Sequence, residues 1–208
     1  MTKICWKDIV SHNEELIDSS GIYAWYYRPK LSKCDVKKAM NDIENSNIDK
    51  ENIVRIFLQS HLFDFYKEES YSVKLEGQLK PRYSGTLHQD NQVSESLIKK
   101  ITKESIKLSD IKDMLDTIDE SFLSPVYIGM SKNLKERLLK HKKIIHTRLD
   151  EQQTNDESED KNDAYFADRV VDRNYIRENM FVIIKSVESP NVMENILNRI
   201  SHPILGRN

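Results

Sequence analysis

The sequence contains little cysteine, glycine or proline, and it lacks a long uninterrupted apolar segment. Its two cysteines, Cys5 and Cys34, form neither a metal-binding spacing nor a disulfide framework, so we expect free thiols in a reducing compartment. No segment approaches the roughly 20 apolar residues of a membrane-spanning helix, and the initial MTKICWKDIV lacks the features of a signal peptide. The sequence therefore predicts a cytoplasmic protein without membrane association.

The charged residues nearly balance along the whole chain. Lysine and arginine total 32 against 34 aspartates and glutamates, a formal net charge of −2. This balance excludes a uniformly basic nucleic-acid-binding surface but leaves room for a local one. The 208 residues can form one domain with a substantial core, or a smaller domain that carries an insertion.

Apolar periodicity and turn residues predict the order of the secondary-structure elements. Helical segments are predicted at 6–17, 34–66, 91–120 (two helices), from 134 onward, at 164–176 and from 190 to 200. Strands are predicted at 21–28, 125–129 and 180–187, with a small hairpin at 71–85. Within 34–66, Ile53, Ile56 and Phe57 are predicted to share one helix face. The acidic segment 150–163 is predicted to be a mobile loop.

This order of elements predicts an α+β fold with a small central antiparallel or mixed sheet flanked by helices. Residues 1–29 and 124–208 supply the sheet and its helices. Residues 30–123 have helices and a hairpin of their own, and they are too many for a simple connection. The prediction for them is a mainly helical insertion.

Polar residues border the apolar faces of two helices predicted near the end of the chain. At about 100° per residue, Arg137 and His141 lie one turn apart on the same side of a helix. In the last helix, Glu194 lies at the edge of an apolar stripe that we expect to be buried. The stripe consists of Val192, Met193, Ile196, Leu197 and Ile200. A carboxylate in this position could hold a hard cation such as Mg²⁺.

Each of these residues also has an ordinary structural interpretation. A tyrosine on a strand usually packs in the core, and an arginine or histidine on a charged helix is usually solvated. Glu194 can simply complement the dipole of a helix N-terminus. Taken one at a time, none of the residues carries a functional assignment.

The order of the motifs is more specific than any one of them. Gly21-Ile22-Tyr23 comes first, then Tyr127-Ile128-Gly129, and then in turn Arg137, His141, Glu194 and Asn208. This series resembles the GIY-YIG nuclease family, in which two strands carry the name motifs and the following helix carries the arginine. A later helix carries a metal-binding glutamate, and an asparagine follows near the end of the domain. The resemblance covers 20–29 and 124–208, and residues 30–123 stand where the family usually has a short turn.

The resemblance implies hydrolysis of phosphodiester bonds and suggests a role for each matching residue. Tyr23 would activate the attacking water, although a tyrosine with its ordinary pKa of about 10 needs a nearby cation to act as a base. Tyr127 would orient the water or the phosphate, and Arg137 would stabilise charge on the phosphate. His141 would be an alternative proton acceptor or would position a tyrosine. Asn208 would be a further site residue.

The implied cofactor is one divalent ion, Mg²⁺ or Mn²⁺, held by Glu194. DNA is the expected substrate, and RNA stays open. The segment 131–148 is basic and predicts attraction of phosphate, with a solvated helix face as the alternative. Its candidate substrate-binding residues are Lys132, Lys135, Lys140, Lys142 and Lys143. In the predicted hairpin, Lys80, Arg82 and Tyr83 give a weaker indication of a second DNA contact.

Three functions are compatible with these features. The first is a restriction-like, mobile-element or defence endonuclease. The second is a catalytically inactive nucleic-acid-binding protein with the same fold, and the third is a protein whose helices in 30–123 bind another protein. The presence of every catalytic residue type favours the first, and self-association stays open.

Overall fold

The computed structural model describes residues 1–46, 49–68, 70–75, 77, 82–88, 93–150 and 161–206. The fold of these residues is α+β, as predicted, with a four-stranded antiparallel sheet, a two-stranded hairpin and seven α-helices. The chain divides into two compact units, residues 1–30 with 114–208, and residues 31–113. None of the described helices has the length and apolar character needed to cross a bilayer.

The elements follow one another along the chain in nearly the predicted order. The strands are β1 (Thr2–Cys5), β2 (Gly21–Tyr27), β3 (Tyr71–Leu75), β4 (Tyr83–Leu87), β5 (Tyr127–Ser131) and β6 (Met180–Ser186). The helices are α1 (Lys33–Asn45), α2 (Lys50–Leu58), α3 (Glu95–Lys103), α4 (Lys107–Thr117), α5 (Leu134–Asp150), α6 (Lys161–Asp172) and α7 (Pro190–Ser201). The predicted hairpin at 71–85 is confirmed as the pair β3–β4.

The four-stranded sheet has the order β1-β6-β2-β5, and all its neighbours are antiparallel. The two predicted motif strands, β2 and β5, therefore pair directly. Tyr23 lies opposite Gly129 of β5 on one side and opposite Ile184 of β6 on the other. Aromatic and β-branched residues favour the extended conformation of β2 and β6 because their side chains pack well on a pleated surface.

Both faces of the sheet are covered by helices. Tyr23 and Trp25 project from one face of β2 and contact His141 of α5. Ile22 lies on the other face and lines a cleft together with Leu197 of α7. Because side chains alternate along a strand, β2 contributes to both layers of the core.

The predicted helix at 6–17 is wrong. Only Trp6–Asp8 form a short 3₁₀ turn, which follows the edge strand β1, and irregular chain continues to β2. Ile9 and Leu16 are buried from this irregular segment, and Ser19 accepts a hydrogen bond of 3.0 Å from the first backbone N–H of α5. The apolar spacing therefore reflects burial from a loop, which sequence periodicity alone does not distinguish from burial on a helix.

The predicted face of α2 is also wrong in part. Ile56 is 59% exposed, whereas Val54, Phe57 and Leu58 are buried. The buried residues of α2 are spaced three and four positions apart, as expected for one helix face. This face begins one residue later than the predicted face.

The boundary of the second unit differs from the predicted one at its end. Residues 114–123 belong to the first unit. There Glu120 accepts hydrogen bonds from Lys3 and, at 2.9 Å, from Arg28. The role of residues 31–113 as an insertion in the first unit stays a prediction. Most of the predicted acidic loop lies outside the described residues, and 161–163 form the start of α6.

Candidate active site

The hydroxyl group of Tyr23 lies between two side chains of α5. Arg137 Nε donates a hydrogen bond of 3.2 Å to Tyr23 Oη, and His141 Nε2 lies 3.5 Å from the same oxygen. Tyr23 is 1% exposed and His141 is 2% exposed. The two residues predicted to share a face of α5 therefore converge on a tyrosine that comes from a distant part of the chain.

Local sequence determines how α5 presents these groups. Asn133 caps the helix, because its Oδ1 accepts the backbone N–H of the third helical residue at 3.0 Å. Leu134 and Leu138 are completely buried and fix the rotation of the helix against the sheet. Arg137 and His141 flank these leucines, so the packing of the leucines directs the two polar side chains to the Tyr23 hydroxyl.

The motif glycines allow close approach at two places. A Cβ at Gly129 would lie 2.5 Å from Tyr23 Oη and 3.0 Å from Tyr127 Cε1. A Cβ at Gly21 would overlap the backbone carbonyl of Lys185 on β6. No glycine among the described residues has a positive φ, so space and not backbone conformation requires glycine at both positions.

We expect Gly129→Ala to displace the Tyr23 hydroxyl and to destabilise the fold, because the new methyl group overlaps that hydroxyl. Overpacking of this kind costs about 1–3 kcal/mol. Gly85 of β4 is a matched control, since nothing lies within 4 Å of a Cβ built there. Urea unfolding measures both variants. An equal loss of stability in Gly129→Ala and Gly85→Ala would contradict the role assigned to Gly129.

Aromatic rings surround His141. Trp25 lies nearly parallel to it with ring centroids 6.4 Å apart, and Phe166 of α6 lies 5.1 Å away. Phe166 also stacks on Tyr127 at 4.5 Å, and the Tyr127 and Tyr23 rings are 6.2 Å apart. Trp25 and Phe166 were not among the residues predicted for the site. The alternation of β2 could have indicated Trp25, but nothing local indicates Phe166.

The predicted burial of the apolar stripe on α7 is wrong at every position except Leu197, which is partly buried. Val192 is 61% exposed, Ile196 is 46% exposed and Ile200 is 72% exposed. The face of α7 with the least exposure consists instead of Pro190, Glu194, Leu197, Asn198 and Ser201. Compared with the predicted orientation, α7 is rotated about its axis so that Glu194 faces inward. Simple amphipathicity predicts the opposite, with the apolar stripe facing inward.

The inward position of Glu194 has an electrostatic consequence. Partial burial raises the pKa of the Glu194 carboxyl above its ordinary value, and the positive charge of Arg137 opposes part of this increase. The charge of Arg137 on α5 therefore acts on the Glu194 carboxyl of α7. Tyr23 and His141 lie beneath the surface, whereas Arg137, Glu194 and Tyr127 are partly exposed.

The predicted binding of a divalent ion stays a prediction. Within the described ranges, no group of three or more histidine, cysteine, aspartate or glutamate side chains could hold a metal. The predicted ligand, Glu194, is a single carboxylate, and Mg²⁺ can be held in this way because it keeps several waters and accepts one or two carboxylates. A half-buried carboxylate whose charge Arg137 only partly compensates would also gain from a bound cation.

The five candidate lysines have different environments. Lys142 Nζ donates to the carbonyl of Ile9 at 2.9 Å, and burial lowers its pKa. Lys135 lies 3.7 Å from a carboxylate oxygen of Asp18. These two lysines hold the irregular segment before β2 against α5. Three others are exposed, and their role in substrate binding stays a prediction: Lys132, Lys140 and Lys143.

The remaining predicted contacts are only partly described. Asn208 and Lys80 lie outside the described residues. Arg82 and Tyr83 are exposed at the start of β4, in the second unit. Their predicted contact with DNA stays a prediction.

Comparisons of the chain with protein-family models, curated proteins and solved structures found no match.

Proposed function

We propose that this protein is a GIY-YIG-type endonuclease that hydrolyses phosphodiester bonds of DNA with one Mg²⁺ or Mn²⁺ ion. One observation carries the proposal: Arg137 Nε at 3.2 Å and His141 Nε2 at 3.5 Å share the Tyr23 hydroxyl as a neighbour. A restriction-like, mobile-element or defence role would suit such an enzyme. Two free cysteines, one of them exposed, are compatible with action in a reducing compartment such as the cytoplasm.

The contacts of Tyr23 suit a proton relay. His141 Nε2, when unprotonated, can accept the phenolic proton, and the N–H of Arg137 stabilises the resulting phenolate. The phenolate can then take a proton from water as the water oxygen forms a bond to phosphorus. The bond from phosphorus to the 3′ oxygen breaks, and that oxygen takes up a proton from solvent. The products are a 5′-phosphate and a 3′-hydroxyl, and His141 releases its proton when the cycle ends.

Arg137 and Glu194 serve the phosphate side of the proposed reaction. A guanidinium group has five N–H donors, so donation through Nε to Tyr23 is compatible with contacts between its terminal nitrogens and phosphate oxygens. Glu194 would hold the divalent ion, which when bound supplies positive charge at the leaving oxygen. The partial exposure of both residues is compatible with contact to a large substrate.

We expect Glu194→Gln to abolish metal-dependent cleavage and to raise the melting temperature of the metal-free protein at neutral pH. The raised pKa means that the folded state binds a proton at Glu194 more tightly than the unfolded state does. The contribution of Glu194 to stability therefore falls as pH rises through the raised pKa, and glutamine removes this dependence. Calorimetry with Mn²⁺ measures binding, and thermal melts over a pH series measure stability.

Exposed Glu188, which lies just before α7, supplies the matched control Glu188→Gln. This control should bind Mn²⁺ like the wild-type protein and should keep its pH dependence of stability. If Glu194→Gln bound Mn²⁺ as tightly as wild type, the assignment of the metal to Glu194 would be wrong.

A plasmid-nicking assay tests the proposed function itself. Wild-type protein should nick supercoiled DNA with Mg²⁺ or Mn²⁺, and chelation by EDTA should stop the reaction. Binding of duplex DNA without nicking would support the inactive nucleic-acid-binding alternative. Cleavage of RNA but not of DNA would move the substrate class to RNA, and neither binding nor cleavage would favour a protein-interaction role.

A further inference from the structure

The exposed face of α3, in the second unit, carries three lysines. Ile98 and Ile101 are completely buried on the opposite side. At about 100° per residue, the four residues of the outer face fall within a sector of about 100° centred opposite the isoleucines. These residues are Ser96, Lys99, Lys100 and Lys103, and all four are exposed. Together with Leu97 they line one shallow surface depression.

The acidic residues that could neutralise this face have other partners. Glu95 stands four residues before Lys99, and Glu104 stands four residues after Lys100, both favourable spacings for ion pairs on a helix. Glu95 instead accepts a hydrogen bond of 2.7 Å from Arg55 of α2, and Glu104 lies 3.8 Å from Lys107.

The lysine charges of α3 are consequently left uncompensated. Within the described part of the chain, none of the three lysine side chains makes a hydrogen bond or an ion pair. Three unpaired positive charges lie within little more than one helical turn, on a chain whose formal net charge is −2. A face of this kind attracts a polyanion with regularly spaced charges.

We infer that the α3 face, Lys99, Lys100 and Lys103 with Ser96, binds the phosphate backbone of duplex DNA. The inference rests on the proposed nuclease function, which makes a nucleic acid the expected polyanion. Lysine contacts of this kind attach the protein to DNA without reading its sequence, and a serine hydroxyl can add a hydrogen bond to a phosphate oxygen. The second unit would then hold the substrate, while the first unit carries the residues proposed for the reaction.

The test is the salt dependence of DNA binding by the full-length chain. The triple variant Lys99→Ala, Lys100→Ala, Lys103→Ala should fold, because alanine has the highest helix propensity and all three positions are exposed. Binding to a short duplex is measured over a series of salt concentrations, with Tyr23→Phe as the common background to prevent cleavage. The slope of log affinity against log salt should decrease in magnitude by about 2–3, because each lost phosphate contact removes about 0.9.

A matched control removes the same charge from another helix of the second unit. Its substitutions are Lys33→Ala, Lys37→Ala and Lys38→Ala, at three exposed positions on α1. This control should keep the slope of the Tyr23→Phe background. Equal slopes for the α3 variant and the background, with intact plasmid nicking by wild type, would overturn the inference and leave the nuclease proposal standing.

Two further outcomes would also show that the α3 face does not bind duplex DNA. Neither binding nor nicking of DNA by the wild-type protein would overturn the inference together with the proposed function. Loss of RNA binding in the α3 variant, with unchanged duplex DNA binding, would overturn the assignment of DNA to this face.

Discussion

Arg137→Ala is expected to lower the rate of DNA cleavage about 10²- to 10³-fold. This is the usual effect of removing one hydrogen-bond donor that stabilises charge in a transition state. Arg137 donates to Tyr23 Oη, and its charge opposes the increase in the pKa of Glu194. Removal of the guanidinium would leave the phenol without this donor and would raise the pKa of Glu194 further. The acid limb of the pH–rate profile should therefore move to higher pH, in addition to the loss of rate.

Single-turnover cleavage and DNA affinity are measured in parallel for this variant. The affinity should fall much less than the rate, since the arginine acts mainly on charge that develops during the reaction. Arg137→Lys is the matched comparison. A lysine keeps the charge near Glu194 but lacks the planar fork, so it should restore the pH profile and little of the rate. A loss of affinity that accounts for the whole loss of rate would show that Arg137 is an ordinary phosphate contact.

Tyr23→Phe is expected to reduce cleavage about 10²- to 10⁴-fold, the range for loss of a general acid or base. The substitution removes only the hydroxyl that Arg137 and His141 approach, and it keeps the ring that fills the core. Single-turnover rates with saturating protein measure the effect without contributions from binding or product release.

Tyr27→Phe is the matched control, because Tyr27 is equally buried and projects from the same face of β2. Burial raises the pKa of the Tyr27 phenol, and hydrogen bonds to Asn179 and Ile176 oppose the increase. The Tyr27→Phe variant loses a hydrogen bond, so its free energy of unfolding should fall by about 1 kcal/mol. Its rate of DNA cleavage should stay nearly unchanged. If Tyr127→Phe stops the reaction while Tyr23→Phe does not, the base is Tyr127 and the assignment of Tyr23 is wrong.

Local sequence patterns were sufficient for the elements that carry the candidate site. The high density of aromatic residues placed β2, and the short apolar run before Gly129 placed β5, because a strand with buried faces favours such residues. The spacing of Arg137 and His141 placed them on one side of α5, since a helix repeats every 3.6 residues or so. The α+β class followed from the order of these elements.

Long-range packing alone determined how the site is completed. Glu194 faces inward because α7 packs through Pro190, Leu197 and their neighbours, which leaves most of its apolar stripe exposed. Phe166 reaches His141 because α6 packs against α5, a contact that no local pattern encodes. Periodicity reports which residues of an element are apolar, but the neighbouring elements decide which face is covered. The contact of Tyr23 with α5, and the effect of the Arg137 charge on Glu194, are therefore properties of the tertiary structure.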